Sequence, residues 1–600
     1  MAAVRHEEPP VPLPPMPEPF RSPTRRIYLP LAGEPWLWED SLAALFLFSA
    51  TAAVVLWQNA RLAVLWDLSY ILENSFRISL GDVPYRDFPL PYAPLTFLGQ
   101  AALIKLTGRV FFHHVLYCAA VGGAATVLSW RILLNLLRGT PSPRTLAFLL
   151  STPLIVLGIY CVFPHPFYDC DCTAAILACI FLLQRLERRG FPPLFAFLTG
   201  TALVVPLFVK QNTGLAFLLS AVLGLAALLI LDLWQGRHGR GPLWVLLGAA
   251  AGLLAALLLI HTTVGVANYA RWTIQFAASR RMPAWADMLA VYGNPVLLCW
   301  LVASLAGLLL ARLKPANRLL QGLSALLLAI PFLWTLLLQF VEPDPVERAE
   351  ALLALWPFLL ILSFVLALAG FSRRRGIALL LPFVLIATIQ GAFLSQQLWG
   401  STYAIWPLLI LLLADVITAF PWLLRDRTAS TRAGSTMVPL AMVAAISLVV
   451  SGGFYVLSHE RLDYANLSDG PLVRSRLPAL RGLSMRGQWI PEFEQLLRFC
   501  RREIPLQDGI LMIPGEDLFY YSTGRHPRFP VLMFDHTVNP YSPHEILQLS
   551  RAENIRWVIH KRELQLQTDP VENEGQMLDL LRRDFEPVES LDNYDVYRKK

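Results

Sequence analysis

Long apolar stretches without charged residues dominate this chain from about residue 41 to residue 457. A helix rises about 1.5 Å per residue, so about 20 apolar residues cross roughly 30 Å of hydrocarbon. The window 376–414 is too long for one helix, and its polar segment 396–402 divides it into two. The pattern predicts a polytopic α-helical membrane protein with about 13 transmembrane helices. The windows are 41–60, 110–130, 145–168, 172–184, 190–209, 211–231, 241–270, 288–311, 319–341, 351–372, 376–414 and 433–458.

Basic residues follow every second apolar window. Residues 94–107 are too short to span and contain Lys105, so we interpret them as an interfacial helix. Six basic loops then lie on the same side as the N-terminal arginines, and basic loops are typically cytoplasmic. The pattern predicts a cell (inner) membrane protein with a cytoplasmic N-terminus and an extracytoplasmic C-terminal segment. The loops contain Arg138 and Arg144; Arg185, Arg188 and Arg189; Arg237 and Arg240; Arg312, Lys314 and Arg318; Arg373–Arg375; and Arg425, Arg427 and Arg432.

Composition supports a membrane protein and gives no sign of nucleic-acid binding. Apolar residues make up 55% of the chain and charged residues 16%, which lies outside the range of soluble globular chains. The net charge of +7 comes mostly from the basic loops, so membrane lipids are the expected partners and nucleic acid is not. Seven cysteines in 600 residues do not form a disulfide framework.

Composition also divides the chain into three parts. Residues 1–38 are rich in proline and are predicted to be a disordered cytoplasmic tail. Residues 39–457 form the transmembrane domain, whose outer loop 58–109 carries interfacial helices. Residues 458–600 have the composition of a soluble domain. Alternating helix and strand patterns predict a small extracytoplasmic α/β domain there.

The secondary-structure patterns of this last domain are specific enough to test. The segment 514–525 is interpreted as a turn and a strand. Helices are predicted at 492–502, 543–552 and 574–583, strands at 509–514, 530–534 and 555–560, and a hairpin at 585–598.

The outer loop that follows the first window contains the first candidate site. Asp67 lies just past that window, where reduced solvation lets a carboxylate accept a proton from a hydroxyl group. Arg86 offers a planar cationic fork that suits phosphate oxygens. The alternative is structural: Asp67 caps a helix that begins near Leu68, and Arg86 pairs with Asp87 in a turn.

A second outer loop contains Asp169 and Asp171. Two carboxylates at this spacing could bind a divalent cation, orient a sugar or share a proton. The neighbouring His165 and two cysteines match no standard metal-ligand spacing, so the metal assignment stays unknown. The alternative is a helix cap, and we expect one aspartate to cap the helix and the other to face the site.

Lys210 lies between two apolar windows with almost no loop around it. A cation at the outer rim suits a lipid phosphate, because the phosphate lies where hydrocarbon meets water. The alternative is that Lys210 only extends its ammonium group to the interface. The residues themselves favour neither interpretation.

The order of these features resembles a known family. An acidic outer loop after the first span, the PYRDF segment at 84–88 followed by YAPL at 92–95, a second acidic loop and a lysine after the fifth span occur in that order. This arrangement resembles the GT-C superfamily of membrane glycosyltransferases. It is most similar to the branch with protein O-mannosyltransferases and the aminoarabinose transferase of lipid A. The resemblance covers nearly the whole chain.

The resemblance implies an inverting glycosyltransferase that moves a hexosyl or pentosyl group from a polyprenyl-phosphate donor to a lipid, glycan or protein acceptor. It implies that Asp67 is the general base and that Asp169, or its rival Asp171, shapes the acceptor or cation site. Lys210 would contact the donor phosphate. This chain has Leu68 where the family has a second acid. The residues expected to bind substrate are Arg86, Asp87, Tyr92 and Lys210.

Two other classes of protein compete with the enzyme. A multi-pass lipid or glycan flippase or transporter would place functional charges near the middle of the bilayer and would show duplicated halves. This chain places its charges at one rim and shows no clear duplication, so the transporter ranks second. A structural or sensor protein ranks third, because it would leave the two acidic loops unexplained.

Overall fold

The computed structural model describes residues 36–235, 240–313, 318–394, 404–423, 429–458, 460–462, 464–467, 470–566, 571 and 573–600. The predicted tail 1–38 and the predicted break 396–402 therefore lie almost entirely outside the described residues. The helices are α1 (Trp38–Asn59), α2 (Leu65–Leu80), α3 (Leu95–Thr107), α4 (Phe111–Leu136), α5 (Pro143–Ser151), α6 (Leu154–Leu157), α7 (Tyr168–Arg188), α8 (Pro193–Ala202), α9 (Val205–Val209), α10 (Gln211–Trp234), α11 (Gly241–Thr263), α12 (Val266–Ala270), α13 (Ala277–Arg281), α14 (Trp285–Ala290), α15 (Pro295–Leu313), α16 (Arg318–Val341), α17 (Pro345–Leu353), α18 (Leu355–Ala369), α19 (Ile377–Ala392), α20 (Trp406–Leu423), α21 (Ala429–Leu457), α22 (Trp489–Glu503), α23 (Phe519–Thr523), α24 (Pro543–Ala552) and α25 (Glu574–Leu581). The strands are β1 (Leu472–Arg474), β2 (Ser484–Arg486), β3 (Gly509–Ile513), β4 (Ile555–Lys561), β5 (Phe585–Ser590) and β6 (Tyr594–Lys599).

The helical part has the length and composition of a multi-pass membrane protein. Within the ranges given above, seven helical segments are long and apolar enough to cross a bilayer. Shorter apolar helices fill the remaining windows, so the predicted count of 13 spans stays a prediction. The seven segments are Trp38–Asn59, Phe111–Gly139, Gln211–Trp234, Gly241–Thr263, Leu319–Val341, Pro345–Ala369 and Met437–Leu457.

Several predicted spans are interrupted. The window 145–168 is not one helix, because α5 ends at Ser151, Pro153 precedes the short α6, and the chain is irregular from there to Phe167. Proline removes a backbone donor and clashes with the preceding turn, which ends a helix. Pro206 lies in the short α9, which is separate from α8, and so divides the window 190–209 in the same way.

Glycines let two of the helices approach closely. A Cβ atom placed on Gly200 of α8 would lie 2.0 Å from the carbonyl oxygen of Val245 in α11. A Cβ atom on Gly248 of α11 would lie 2.0 Å from the carbonyl oxygen of Phe197 in α8. Small residues at both positions therefore allow backbone contact, as is common between membrane helices.

The C-terminal residues form a mixed four-stranded sheet with helices around it. The strand order is β3-β4-β6-β5, in which β3 pairs parallel to β4 and the other pairs are antiparallel. The helices α22, α24 and α25, the strands β3 and β4, and the final hairpin confirm the predictions for those segments. Residues 530–534 do not form a strand, so that prediction is wrong. The segment 514–525 contains the short helix α23 instead of a strand.

The C-terminal domain packs on α2. Leu68, Leu72 and Phe76 of α2 share one apolar core with Leu496 of α22 and Tyr521 of α23. Polar contacts add to this core: the Glu73 carboxylate accepts the Tyr521 N–H at 3.1 Å, and Arg77 donates to the carbonyl oxygens of Phe529 and Pro530 at 3.0 and 2.9 Å. Burial raises the pKa of Glu73 well above its usual value.

A buried charge cluster stabilises the inside of the C-terminal domain. The ammonium group of Lys561, whose side chain is 1% exposed, donates to Glu516 at 2.6 Å and to Asp517 at 2.9 Å. Tyr594 also donates to Asp517 at 2.9 Å. Burial alone would lower the pKa of Lys561, but Asp517 and Glu516 outweigh it, so the pKa is raised. Burial raises the pKa of Glu516.

We expect Lys561→Met to destabilise the sheet by about 3–5 kcal/mol, because two carboxylates would stay buried without their cation. Hydrogen exchange of β3 and β4 in the full chain measures this loss as faster exchange. Arg502→Met is the matched control, since Arg502 pairs with Glu503 on the surface with its side chain 75% exposed. Equal exchange in the two variants would contradict the prediction.

Candidate active site

Asp67 lies in the first turn of α2 and is partly exposed. Its carboxylate accepts a hydrogen bond from the Tyr464 hydroxyl at 2.5 Å. The helix begins at Leu65, its N-cap residue is Val64, and no side chain caps it. The alternative interpretation of Asp67 as the cap of a helix near Leu68 is therefore wrong.

The C-terminal domain holds the backbone directly before Asp67 through one side chain. The Gln565 amide accepts from the Leu65 N–H at 2.7 Å and donates to the Ala63 carbonyl oxygen at 2.8 Å. The Gln565 backbone N–H in turn donates to Glu516 at 2.7 Å, the carboxylate that Lys561 neutralises. The buried charge cluster of the sheet thus fixes the position of the first turn of α2.

The same segment also fixes Tyr464. The Gln565 carbonyl oxygen accepts from the Asn466 N–H at 2.6 Å, two residues after Tyr464. Ala465 forms an isolated antiparallel bridge with Leu566. Gln565 therefore supports both partners of this hydrogen bond. It contacts the first turn of α2, which carries Asp67, and the segment that carries Tyr464.

Lys210 and Asp169 form an ion pair. Lys210 is the N-cap residue of α10, and Asp169 lies in the first turn of α7. Both side chains are buried, with 7% and 6% of their surfaces exposed. The Lys210 ammonium nitrogen also lies 5.5 Å from the centre of the Tyr168 ring, a cation–π distance.

Asp171 has a different environment from Asp169. Its carboxylate accepts hydrogen bonds from the hydroxyl groups of Tyr160 at 2.6 Å, Tyr117 at 2.7 Å and Thr96 at 2.8 Å. These donors come from α3, α4 and the loop before α7, so Asp171 joins them. The N-cap residue of α7 is Phe167, so the expectation that one of the two aspartates caps this helix is wrong.

The two aspartates do not form a cation site with other ligands. Asp169 is paired with Lys210, and Asp171 is surrounded by hydroxyl donors. Across the described ranges, no group of three or more His, Cys, Asp or Glu side chains is placed to hold a metal ion. These residues do not fit the possible divalent cation, and no step below uses one.

Arg86 and Asp87 pair with each other in a surface turn. The guanidinium group donates to the carboxylate at 2.8 and 2.9 Å, and Asp87 also accepts the Val83 N–H at 2.7 Å. The hydrogen bond from Arg86 lowers the pKa of Asp87. This arrangement agrees with the alternative interpretation, in which Arg86 pairs with Asp87 in a turn. A role of either residue in substrate binding stays a prediction.

Tyrosine rings lead from α2 to Lys210. Tyr70, one turn after Asp67, contacts the edge of Tyr92 with ring centres 5.3 Å apart. Tyr92 stacks on Tyr168 at 4.5 Å, and Tyr168 is the ring beside the Lys210 ammonium group. The structure therefore brings Asp67, Tyr92, Asp169 and Lys210 to one end of the helical domain.

Gln211 holds Tyr92 in this position. Its side chain accepts from the Ala93 N–H at 3.1 Å and donates to the Pro91 carbonyl oxygen at 2.9 Å. The segment with Tyr92 is therefore attached to the start of α10, directly after Lys210. Tyr85 adds a hydrogen bond from its hydroxyl group to the Tyr92 carbonyl oxygen at 2.7 Å.

A polar pocket of about 140 Å³ adjoins Gln565. Arg61, Arg461 and Arg486 are among its lining residues. Buried Arg461 donates to the Val162 carbonyl oxygen at 3.1 Å and to the side chain of Gln58 at 3.2 Å. The lining is cationic, so it would attract a negatively charged group.

No sequence pattern indicated Tyr464, Gln565 or Gln211. Each acts through a contact with a residue distant in the chain, and no local pattern marks such a contact. The one available signal was composition: Gln211 follows Lys210 in a polar KQN segment between two apolar windows, where an amide needs partners.

Comparison with known proteins adds similarities of fold only. No protein-family model matches the chain, and no curated protein matches it. A solved structure of ArnT from Cupriavidus metallidurans bound to undecaprenyl phosphate is 13% identical, with a TM-score of 0.44, over 92% of this chain and 97% of that chain. The archaeal oligosaccharyltransferase AglB from Archaeoglobus fulgidus, in complex with an inhibitory peptide and a dolichol-phosphate, is 13% identical with a TM-score of 0.41 over 88% and 70%.

Because their identities and TM-scores are low, the roles proposed below are argued from the side chains of this chain.

We expect Gln565→Ala to loosen the first turn of α2, because the Leu65 N–H and the Ala63 carbonyl would lose their buried partners. An unsatisfied buried group costs about 1–3 kcal/mol. Hydrogen exchange of a peptide covering residues 60–70 should accelerate. Gln548→Ala, at an exposed position of α24, is the control and should leave this peptide unchanged. Unchanged exchange in Gln565→Ala would disprove the proposed support.

Proposed function

We propose that this protein is a glycosyltransferase that moves a sugar from a polyprenyl-phosphate donor to an acceptor on the extracytoplasmic face. One observation carries the proposal: a partly exposed carboxylate and a buried ammonium group lie at the same end of the helical domain, connected by tyrosine rings. The carboxylate is Asp67, the ammonium group is that of Lys210, and the rings are Tyr70, Tyr92 and Tyr168.

The reaction needs one base. An acceptor hydroxyl oxygen attacks the anomeric carbon, the bond from that carbon to the donor phosphate oxygen breaks, and the hydroxyl proton moves to Asp67. The products are the glycosylated acceptor and the polyprenyl phosphate. Phosphate is a good leaving group, so no acid is required, and a single displacement inverts the anomeric centre. Positioning of the two substrates supplies much of the rate.

Tyr464 and Gln565 support the base. The Tyr464 hydroxyl donates to Asp67 and holds the carboxylate in one orientation. Gln565 fixes the backbone before Asp67. Neither residue needs to touch a substrate, so we assign them as positioning residues of the proposed base.

Lys210 is the proposed contact of the donor phosphate. An ammonium group has three donors, and Asp169 uses one of them, so carboxylate and phosphate can be held together. A cation at the departing phosphate stabilises the negative charge that develops there. Asp169 directs the ammonium group, and Tyr168 with Tyr92 stacked on it provides a flat apolar surface beside it.

A transporter is the alternative, and the charge distribution argues against it. Asp415 is an ionisable residue within α20, where a transporter would use a charge. Its carboxylate pairs with Arg374, which follows α18, and one of the two bonds measures 3.0 Å. This pair ties a helix to a basic loop, whereas the candidate site lies at the other end of the helical domain.

We expect Asp67→Asn to lower sugar transfer by about 10²–10⁴-fold, because the amide cannot accept the hydroxyl proton. The assay incubates the purified full-length protein with a labelled polyprenyl-phosphate sugar and measures transfer and release of the label. Asp287→Asn, an exposed outer-loop carboxylate in α14, is the control and should keep full activity. Full activity of Asp67→Asn would rule out the mechanism.

The role of Lys210 can be separated from the stability of its ion pair. Lys210→Met leaves Asp169 buried and unpaired, whereas Lys210→Met with Asp169→Leu removes both charges and should restore the melting temperature. We expect the double variant to raise the KM for the donor about 10–100-fold, the effect of losing one hydrogen bond to a charged group. A wild-type KM in the double variant would show that the ion pair of Lys210 and Asp169 has only a structural role.

A further inference from the structure

An apolar groove lies at the end of the helical domain opposite to the candidate site. The N-terminal half of α1 and the C-terminal parts of α4 and α7 line it. The C-terminal domain contacts the other ends of α1 and α4, through Asn59 and Phe111 for example. The groove has a volume of about 790 Å³, within the range of roughly 300–1,000 Å³ for small-molecule sites.

The lining changes from apolar to cationic along the groove. Phe48 of α1, Ala124 of α4 and Phe181 of α7 line the part that lies deeper in the helical domain. Arg131, Arg185 and Arg188 line the part near the helix ends, together with Trp36. A ligand that fits this lining has an apolar chain and an anionic head.

Trp36 and Arg131 are arranged as at a membrane interface. The Arg131 guanidinium carbon lies 4.8 Å from the centre of the Trp36 ring, and Trp36 contacts the edge of Trp130. Half of the Trp36 surface, 52%, is exposed. Tryptophan with its ring at the headgroup level is typical of the boundary between hydrocarbon and water.

Asp40 and Glu187 lie on this face outside the groove lining, and Glu187 is close enough to Arg188 to interact with its charge. Asp40 accepts from the Leu37 N–H at 2.9 Å and pairs with Arg144 at 3.3 Å. Glu187 accepts the Ile377 N–H at 2.9 Å, which ties α7 to the start of α19. Neither carboxylate lines the groove, so the charge of its lining is positive.

We propose that this groove binds a glycerophospholipid with an anionic headgroup. An acyl chain lies against Phe48, Ala124 and Phe181, and the phosphate accepts hydrogen bonds from the arginines. Guanidinium groups bind phosphate through paired donors, and basic pockets between membrane helices bind anionic lipid heads. A zwitterionic lipid offers the same chains with no net charge, so it binds more weakly. This site is independent of the proposed transferase reaction.

The test measures lipid binding to the purified full-length protein by native mass spectrometry. Phosphatidylglycerol is compared with phosphatidylcholine of the same acyl chains. We expect the wild type to prefer phosphatidylglycerol. In the double variant with Arg185→Gln and Arg188→Gln, this preference should fall about 10–30-fold, which is the combined effect of losing two basic groups. Arg189→Gln is the control, since Arg189 is exposed at the same helix end, lies over Phe195 and is not part of the lining.

A second variant tests the apolar part without changing charge. Ala124→Phe fills the groove and should weaken binding of both lipids, while melting of the protein stays unchanged because Ala124 is exposed. Equal binding of the two lipids by the wild type would overturn the proposal, as would unchanged binding in both variants. Displacement of phosphatidylglycerol by soluble glycerol phosphate, or by undecaprenyl phosphate at equal concentration, would overturn the assignment to a glycerophospholipid.

Discussion

The geometry around Asp67 depends on one amide side chain from the other end of the chain. Buried backbone groups must have hydrogen-bond partners, and the Leu65 N–H and Ala63 carbonyl at the start of α2 have no helical partner. Gln565 satisfies both, although it lies 500 and 502 residues away. The buried cluster of Glu516 and Lys561 fixes Gln565 in turn. The C-terminal domain therefore supplies contacts that position the candidate site.

The membrane helices were largely predictable because a helix that crosses a bilayer needs about 20 consecutive apolar residues, and the sequence shows such stretches directly. Windows such as 41–60 and 211–231 correspond to α1 and α10 within a few residues. The interruptions were not predicted, since a count of apolar residues ignores the backbone donor that Pro153 and Pro206 lack.

The prediction of a strand at 530–534 was wrong for another reason. Its side chains pack into three different apolar clusters, so burial without sheet pairing produced the apolar run.

The candidate site was predictable only in part. The alternation of basic loops predicts that Asp67, Asp169 and Lys210 lie on one side of the membrane, and the structure brings them to one end of the helical domain. The sequence did not indicate that Asp169 would pair with Lys210 or that Asp171 would hold three hydroxyl groups. A buried ion pair adds little net stability compared with apolar packing, because desolvation offsets the attraction between the charges. The pair of Asp169 and Lys210 is therefore better explained by a need for a fixed cation than by a need for stability.

The candidate site and the lipid groove lie at opposite ends of the helical domain. Asp67 and the pair of Asp169 and Lys210 lie near the C-terminal domain, whereas Arg131, Arg185 and Arg188 line the groove at the other end. Basic residues determine which side of a membrane protein stays in the cytoplasm. Arg185 and Arg188 belong both to a predicted cytoplasmic loop and to the lining of the groove. In the predicted orientation these two arginines face the anionic lipids of the inner leaflet, so the predicted orientation and the proposed lipid binding depend on the same residues.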